Sequence, residues 1–465
     1  MRINPQSISE CSSFGSTVPD RKAILEQGFS ATLPIGELIQ YWCAVAVSED
    51  LHFTRAARRL HLDQSAVSRH IQKLESKLGV KLFLLRRHRE EALPRQACLK
   101  RLGGRSGILE RAKFVVRGMD LGLVTFADMQ PGVTAEERMR NLLEEARLAD
   151  ELGLKLFAVG EHHRPDYLVS SPATALAAIA AVTQQIRLSS AVTVLSSDDP
   201  VRVFQQFAHV DLISGGRAEI MAGRGSFIES FPLFGYDLSD YDELFDEKLE
   251  LLLAIRDSER VTWSGRHRAP LEDAVVWPRP VQDRLPIWIA VGGTPESVVR
   301  AAVLGLPLTL AIIGGETARF RPFVDLYRHT WEETGQTGEP RIAINTHAFV
   351  APSRLDADAA FASSYLALLN RIGRERGWPP SGRTEYEALA SPSGPLAIGS
   401  PDEVAAKIVS FREMFRPERY LAHISIGAVS HRDVMRAIEL FGTEVAPLVE
   451  REITAGGTAS VRISA

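Results

Sequence analysis

Ala158-Val159-Gly160-Glu161-His162-His163-Arg164 is the stretch on which the reading of this chain turns. The apolar run Leu154 to Val159 has the length of a buried strand, and it delivers an acid, two imidazoles and a guanidinium at its C-terminal tip. Parallel (β/α) barrels build their active sites from such tips. Working outward, strand-like runs recur at Leu121–Phe126, Leu154–Val159, Ile186–Leu195, Ala218–Ala222, Pro286–Val291, Pro307–Ile313, Ile342–Val350 and His423–Ile426. Helical patterns alternate with them, as in Ala135–Leu152, where Met139, Leu142, Leu143, Ala146 and Ala149 share a face. Eight such units predict an α/β fold, a TIM (β/α)8 barrel over 119–452, with a tail from 453 to 465. Residues 258–284 and 371–400, rich in Pro, Gly and Arg, are expected to be irregular insertions over its mouth.

The chain has 465 residues, too many for one ordinary core, and is 45% hydrophobic and 24% charged, the balance of a globular protein. Its net charge is −4, yet residues 55–113 carry 16 Lys/Arg against 5 Asp/Glu, a local +11 that leaves −15 elsewhere. Such asymmetry points to a polyanion partner for the basic segment. Cys11, Cys43 and Cys98 form no CxxC pair and read as reduced thiols of a cytoplasmic protein. No apolar run approaches the roughly 18 residues of a membrane helix, and no signal-peptide core opens the chain.

Within the basic segment, Leu38, Ile39, Trp42, Val45 and Ala46 set a first amphipathic helix. Phe53 to Leu60 sets a second, with Thr54 as its expected cap. A third, Gln64 to Leu78, turns Val67, Ile71, Leu74 and Leu78 inward and Gln64, Ser65, Ser68, Arg69 and Gln72 outward, and Gly79 ends it. Amide, hydroxyl and guanidinium groups on one helix face suit base edges and phosphates in a major groove, although a solvated helix face would look similar. Residues 1–32 read as a flexible tail, 33–93 as the small all-α unit and 94–118 as a Gly/Arg linker, so that the barrel starts afresh at Met119 like an enzyme fused behind it.

The barrel mouth is made by residues just past each strand. Phe126 could cover a flat ring. His162, with Glu161 beside it to orient the imidazole, is the expected proton-handling pair. A structural histidine is the alternative, while a metal site lacks both a third ligand and an HExxH array. Thr193 lies at the end of the third strand, and Gly223-Arg224-Gly225-Ser226 follow the fourth, offering close backbone approach and a planar cation. Gly292-Gly293-Thr294 and Ser297 follow the fifth, where a helix start and two hydroxyls make a phosphate site.

Two resemblances sharpen these readings. Phe53-Thr54-Arg55-Ala56-Ala57, Gln64-Ser65-Ala66-Val67-Ser68-Arg69, Leu74-Glu75, Leu78-Gly79-Val80 and Leu82-Phe83 resemble the LysR-type winged helix-turn-helix. That resemblance implies DNA contacts from Gln64, Ser65, Ser68 and Arg69, and wing contacts from Arg86, Arg87 and Arg89. It departs after residue 93, where Leu93-Pro94-Arg95-Gln96-Ala97-Cys98 replaces the usual continuation and no effector domain follows.

Val159-Gly160-Glu161-His162-His163, Val194-Leu195-Ser196, Asp198-Asp199-Pro200-Val201-Arg202, Asp211-Leu212-Ile213-Ser214-Gly215-Gly216-Arg217 and Gly223-Arg224-Gly225 resemble the bacterial luciferase-like flavin monooxygenases. This implies FMN across the mouth, with a deazaflavin as the alternative, and reduced flavin that uses O2 to oxidise a small organic substrate. A separate NAD(P)H-dependent flavin reductase and a homodimer are further implied partners. His162 takes the catalytic histidine's place with Glu161 beside it. Phe126, Thr193, Gly223 and Gly225 fall around the ring, and Arg224, Ser226, Gly292, Gly293, Thr294 and Ser297 around the phosphate. A second phosphate arginine of some members falls near Asp242, in the acidic run from Asp237 to Glu247, which fits a flavin that arrives and leaves. The alternative function is a flavin- or redox-responsive transcription regulator in which the barrel is the sensor.

Overall fold

The computed structural model describes residues 40, 43, 47, 52–59, 62–78, 118–225 and 227–462. They fall into two compact units, the second starting at Gly118. In the first, Gln40, Cys43 and Val47 are helical and buried, while Leu38, Ile39, Trp42, Val45 and Ala46, expected to set the inward face, lie outside the described residues. Helix α1, Phe53–Arg59, buries Phe53, Ala56 and Ala57. Helix α2, Gln64–Leu78, buries Ala66, Val67, Ile71 and Leu74 while Gln64, Ser65, Arg69 and Gln72 are exposed and Ser68 is half-buried. The expected Thr54 cap is replaced. His52 Nδ1 accepts from the Thr54 amide at 3.2 Å, because α1 starts a residue earlier, and the Thr54 hydroxyl donates to Gln64 Oε1 at 2.9 Å. Gly79, Arg86, Arg87, Arg89 and Ser226 lie outside the described residues, as do the tail over 1–32 and nearly all of the linker.

The second unit is a closed barrel of eight parallel strands: β1 Asp120–Thr125, β2 Leu156–Val159, β3 Arg187–Ser190, β4 Ala218–Gly223, β5 Ile287–Val291, β6 Leu308–Ala311, β7 Ile342–Val350 and β8 Arg419–Ser425. Each pairs with the next, and β8 returns to β1 with Asp120 opposite Arg419. The helices that cover the ring begin where capping chemistry dictates. Thr134 accepts from the Glu137 amide ahead of α3, Ala135–Glu151, and Pro172 opens α4, Pro172–Val182. Asp199 accepts from Val201 and Arg202 ahead of α5, Pro200–Ser214, which Gly215 ends at φ 68°. Helices α6, Tyr241–Asp257, and α7, Pro295–Val303, follow β4 and β5.

Because side chains alternate along a strand, the barrel interior is layered. At the floor, where the strands begin, Glu219 pairs with Arg187 and, at 2.8 Å, with Arg419, whose guanidinium lies 4.6 Å from the Trp288 ring. Burial would raise the Glu219 carboxyl, but the two arginines outweigh it and hold it below its ordinary value. Beside and above that floor, Val124, Leu156, Ala158, Met221, Trp288, Ala343 and Leu421 form an apolar plug. The top layer carries Gly160, Gly223 and His423, two residues beyond Ala158, Met221 and Leu421, and His347, which pairs with His423.

Three expectations are corrected. The run Ile186–Leu195 is broken: β3 ends at Ser190, the Ala191–Val192 peptide is cis, and Thr193–Val194 forms a separate segment paired with β4. The supposed irregular insertions are ordered. Arg260–Trp263 and Leu271–Val275 form an antiparallel hairpin, and 371–400 holds the end of helix α8, Arg354–Arg376, then α9, Arg383–Leu389, and the strand Ala397–Gly399 on the end of β7. The stretch from 453 continues the helix Ala446–Arg462 instead of opening a tail.

Candidate active site at the barrel mouth

The β2 tip puts both imidazoles and Glu161 below the surface, yet pairs them differently from the expectation. Glu161 accepts from His163 Nε2 at 3.0 Å and from the Val194 amide at 2.9 Å, so its carboxylate ties the β2 tip to the segment after β3. That contact raises the His163 pKa above its ordinary value. The carboxylate that faces His162 is Glu229, 3.8 Å from Nδ1, at the start of the short helix after β4. Burial would raise the Glu229 carboxyl, but His162 and backbone amides, including that of His163 at 3.4 Å, hold it below its ordinary value. His162 Nε2 is buried without a hydrogen-bond partner.

Aromatic rings close around that imidazole. Tyr167 lies 4.3 Å from it, Phe126 4.7 Å and Phe227 5.3 Å, centroid to centroid. Phe126 continues the contacts into the barrel, 4.5 Å from His423, which is 5.1 Å from His347. Burial drives both inner imidazoles towards neutrality, His347 down to about 4 and His423 well below its ordinary value, with His347 and His162 adding to the latter. Asp128, past β1, is wholly buried and accepts from the Gly427 amide at 2.8 Å. Burial outweighs that bond and the nearby arginines, raising its carboxyl to about 7. The mouth is tied to α8 by Arg164–Glu375 and by Arg371, which reaches Asp166 at 3.0 Å and the Tyr167 hydroxyl at 3.2 Å.

Glycines let neighbouring side chains pack against the backbone of the mouth. A Cβ at Gly160 would fall 2.9 Å from Phe126 Cε1 and 3.2 Å from the Ala191 carbonyl oxygen, and one at Gly223 would fall 2.8 Å from Val192. Thr193 is buried, its hydroxyl donating to Ser190 Oγ at 2.9 Å. Gly225 takes a positive φ of 74°.

Three of the expected phosphate residues do converge. Arg224 Nη2 reaches Ser297 Oγ at 3.1 Å and Thr294 Oγ1 at 3.3 Å, and Gly292 leaves open space on its side-chain face. Thr294 makes no side-chain cap bond, so its hydroxyl and that of Ser297 both face Arg224 at the start of α7. Arg300, which escaped the sequence reading, also reaches Ser297 Oγ, at 3.4 Å, and Asp242, noted in the sequence near the place of a second phosphate arginine, forms an ion pair with Arg224. Periodicity could have found Arg300, one helical turn past Ser297, and the β7 and β8 alternation would have turned His347 and His423 inward. Nothing local marks Glu229.

Asp211 and Arg217 have structural roles at the opposite end. Asp211 accepts from the Ala218 and Gln282 amides, and Arg217 donates to the Ile186, Thr183 and Ala180 carbonyls. Asp240, Glu243 and His267 gather near the start of α6, but Arg266 already lies 2.8 Å from Glu243. Among the described residues no helix is long and apolar enough to cross a membrane.

Comparison with known proteins follows the two units. The family model "Luciferase-like monooxygenase" matches residues 119–416, and that of the LysR-family bacterial regulatory helix-turn-helix matches 40–93. An N-acetyl-S-alkylcysteine monooxygenase of Bacillus subtilis is 33% identical over 190 residues, 40% of this chain and 54% of that protein. The crystal structure of monooxygenase RslO1 from Streptomyces bottropensis superposes with a TM-score of 0.62 at 25% identity, covering 71% of this chain and 99% of that one. The oxygenating constituent of 3,6-diketocamphane monooxygenase from Pseudomonas putida, in complex with FMN, shares the fold at a TM-score of 0.60 and 18% identity, over 71% of this chain and 99% of that one.

Proposed function

Since this chain belongs to the luciferase-like monooxygenase family, we propose that its barrel is an FMN-dependent monooxygenase that uses reduced flavin and O2 to oxidise a small organic substrate. The observation that carries the proposal is His162: a buried imidazole with a free Nε2, backed by Glu229, on the same rim as the Arg224–Thr294–Ser297 set. FMN would supply the electrons and the oxygen chemistry. The residues present fit it. Arg224, Thr294 and Ser297 would hold its phosphate. Gly160 and Gly223 let Phe126 and Val192 pack against the backbone at the mouth, and Phe126, Tyr167 and Phe227 exclude water from the imidazole. His162 would hold or move a proton at Nε2, with Glu229 stabilising the imidazolium and Glu161 fixing the loop that carries it. A separate NAD(P)H-dependent reductase, a homodimer and a cytoplasmic setting complete the proposal.

His162→Ala tests it. Oxygen uptake with reduced FMN should fall to background while FMN binding stays within about threefold, and unchanged turnover would remove His162 from the reaction.

The exposed Gln64, Ser65 and Arg69 of α2 favour DNA as a second partner. The barrel would then sense flavin or its redox state. Sequence-specific duplex binding that changes when FMN or reductant is added supports this reading; binding equal on all duplexes refutes it.

A further inference from the structure

The polar rim at α7 is electrically balanced by its own neighbours. Helix α6 presents Asp242 and Asp246, four residues apart and so on one face, to the two arginines that touch Ser297. Asp246 pairs with Arg300 at 2.5 Å, and both side chains are nearly buried, at 14% and 10% exposure. Asp242 pairs with Arg224 but is 74% exposed, against 18% for its partner. One carboxylate is thus built into the wall, and the other can swing into water with little loss of packing. Arg224 would remain in place without it, since Tyr241 lies under the guanidinium, 5.0 Å from its carbon to the ring centroid, and Thr294 and Ser297 accept from Nη2.

We propose that Asp242 is an intramolecular competitor for the anion subsite, holding Arg224 until a phosphomonoester dianion displaces it. The subsite is thereby set for a phosphorylated ligand that exchanges, not one that is retained. Two guanidinium groups against two carboxylates sum to zero, so a dianion gains net attraction only as Asp242 withdraws; with Asp242 neutral the same subsite carries +1. The identity of that ligand as FMN rests on the function proposed above, while the competition itself concerns any phosphate.

The test compares the full chain with its Asp242→Asn variant. Fluorescence titrations with FMN and riboflavin should show FMN bound about fivefold more tightly by the variant, the scale of one exposed ion pair, and riboflavin unchanged. In an Arg224→Gln background the same substitution should change FMN affinity less than twofold. Unchanged or weaker FMN binding, equal tightening of riboflavin, or a full effect without Arg224 would each overturn the proposal. A second arm measures the rise in melting temperature caused by inorganic phosphate at constant ionic strength, which should be larger for Asp242→Asn. If neither flavin binds the wild-type chain, the flavin reading falls, and this arm still decides: equal phosphate stabilisation of both proteins would overturn the competition.

Discussion

Replacing Gly160 with Ala probes the packing that puts His162 where it is. The new methyl would meet the edge of Phe126, 2.9 Å from Cε1, and the Ala191 carbonyl at 3.2 Å, so something must shift. The backbone side cannot yield easily, because the Ala191 amide donates to Val159 at 2.8 Å and the Gly160 amide to Thr125 at 2.9 Å. The ring is confined as well, between His162 at 4.7 Å, His423 at 4.5 Å and Tyr167 at 6.0 Å. Overpacking of this kind costs about 1–3 kcal/mol. At roughly 2 °C per kcal/mol for a domain of this size, the melting temperature should fall by about 2–6 °C. A displaced Phe126 also pushes on the His162 ring, so oxygen uptake with reduced FMN should fall at least about tenfold, since misplacement by a fraction of an ångström is costly at a reacting centre. Calorimetry and an oxygen electrode read the two effects. A variant that melts within 1 °C of wild type and turns over normally would refute the claim that this glycine sets the imidazole's position.

Other substitutions address single links. Glu229→Gln removes the only carboxylate facing His162 among the described residues, and should lower turnover about tenfold or more with FMN affinity preserved; a change confined to FMN affinity would contradict that role. Asp128 binds its proton more tightly folded than unfolded, so its ionisation costs stability as pH rises from about 4 to about 7. Asp128→Asn should therefore gain on wild type across that window, by on the order of 3–4 kcal/mol at its top. Urea midpoints at several pH values check this, and a difference that is constant from pH 4 to pH 8 would count against it. His347, held near 4, acts with the opposite sign: its contribution is complete above about 6.5 and fades towards pH 4, so His347→Gln should flatten acid unfolding in that range. If α2 meets DNA, Arg69→Ala should reduce the slope of log affinity against log salt by about one, and an unchanged slope would show that Arg69 touches no phosphate.

Much of the architecture was legible because it is written in short-range periodicity. All eight barrel strands lie within or beside apolar runs of strand length, and the helix starts carry Thr134, Asp199 and Pro295 as punctuation. Strand tips could be read in order because a parallel barrel sends every C-terminal end to one rim, which is why His162, Arg224, Thr294 and Ser297 were identifiable before any contact was known. Tertiary structure alone decided partnership. Glu161 neighbours His162 in the chain, but the pleat turns its carboxylate to His163 and Val194, and Glu229, 67 positions further on, takes the place facing the imidazole. The same holds for Asp242 on Arg224 and for the inward His347 and His423. An ion pair or a buried ring depends on which surfaces the closed sheet brings within a few ångströms, and nothing in the local pattern of residues encodes that distance.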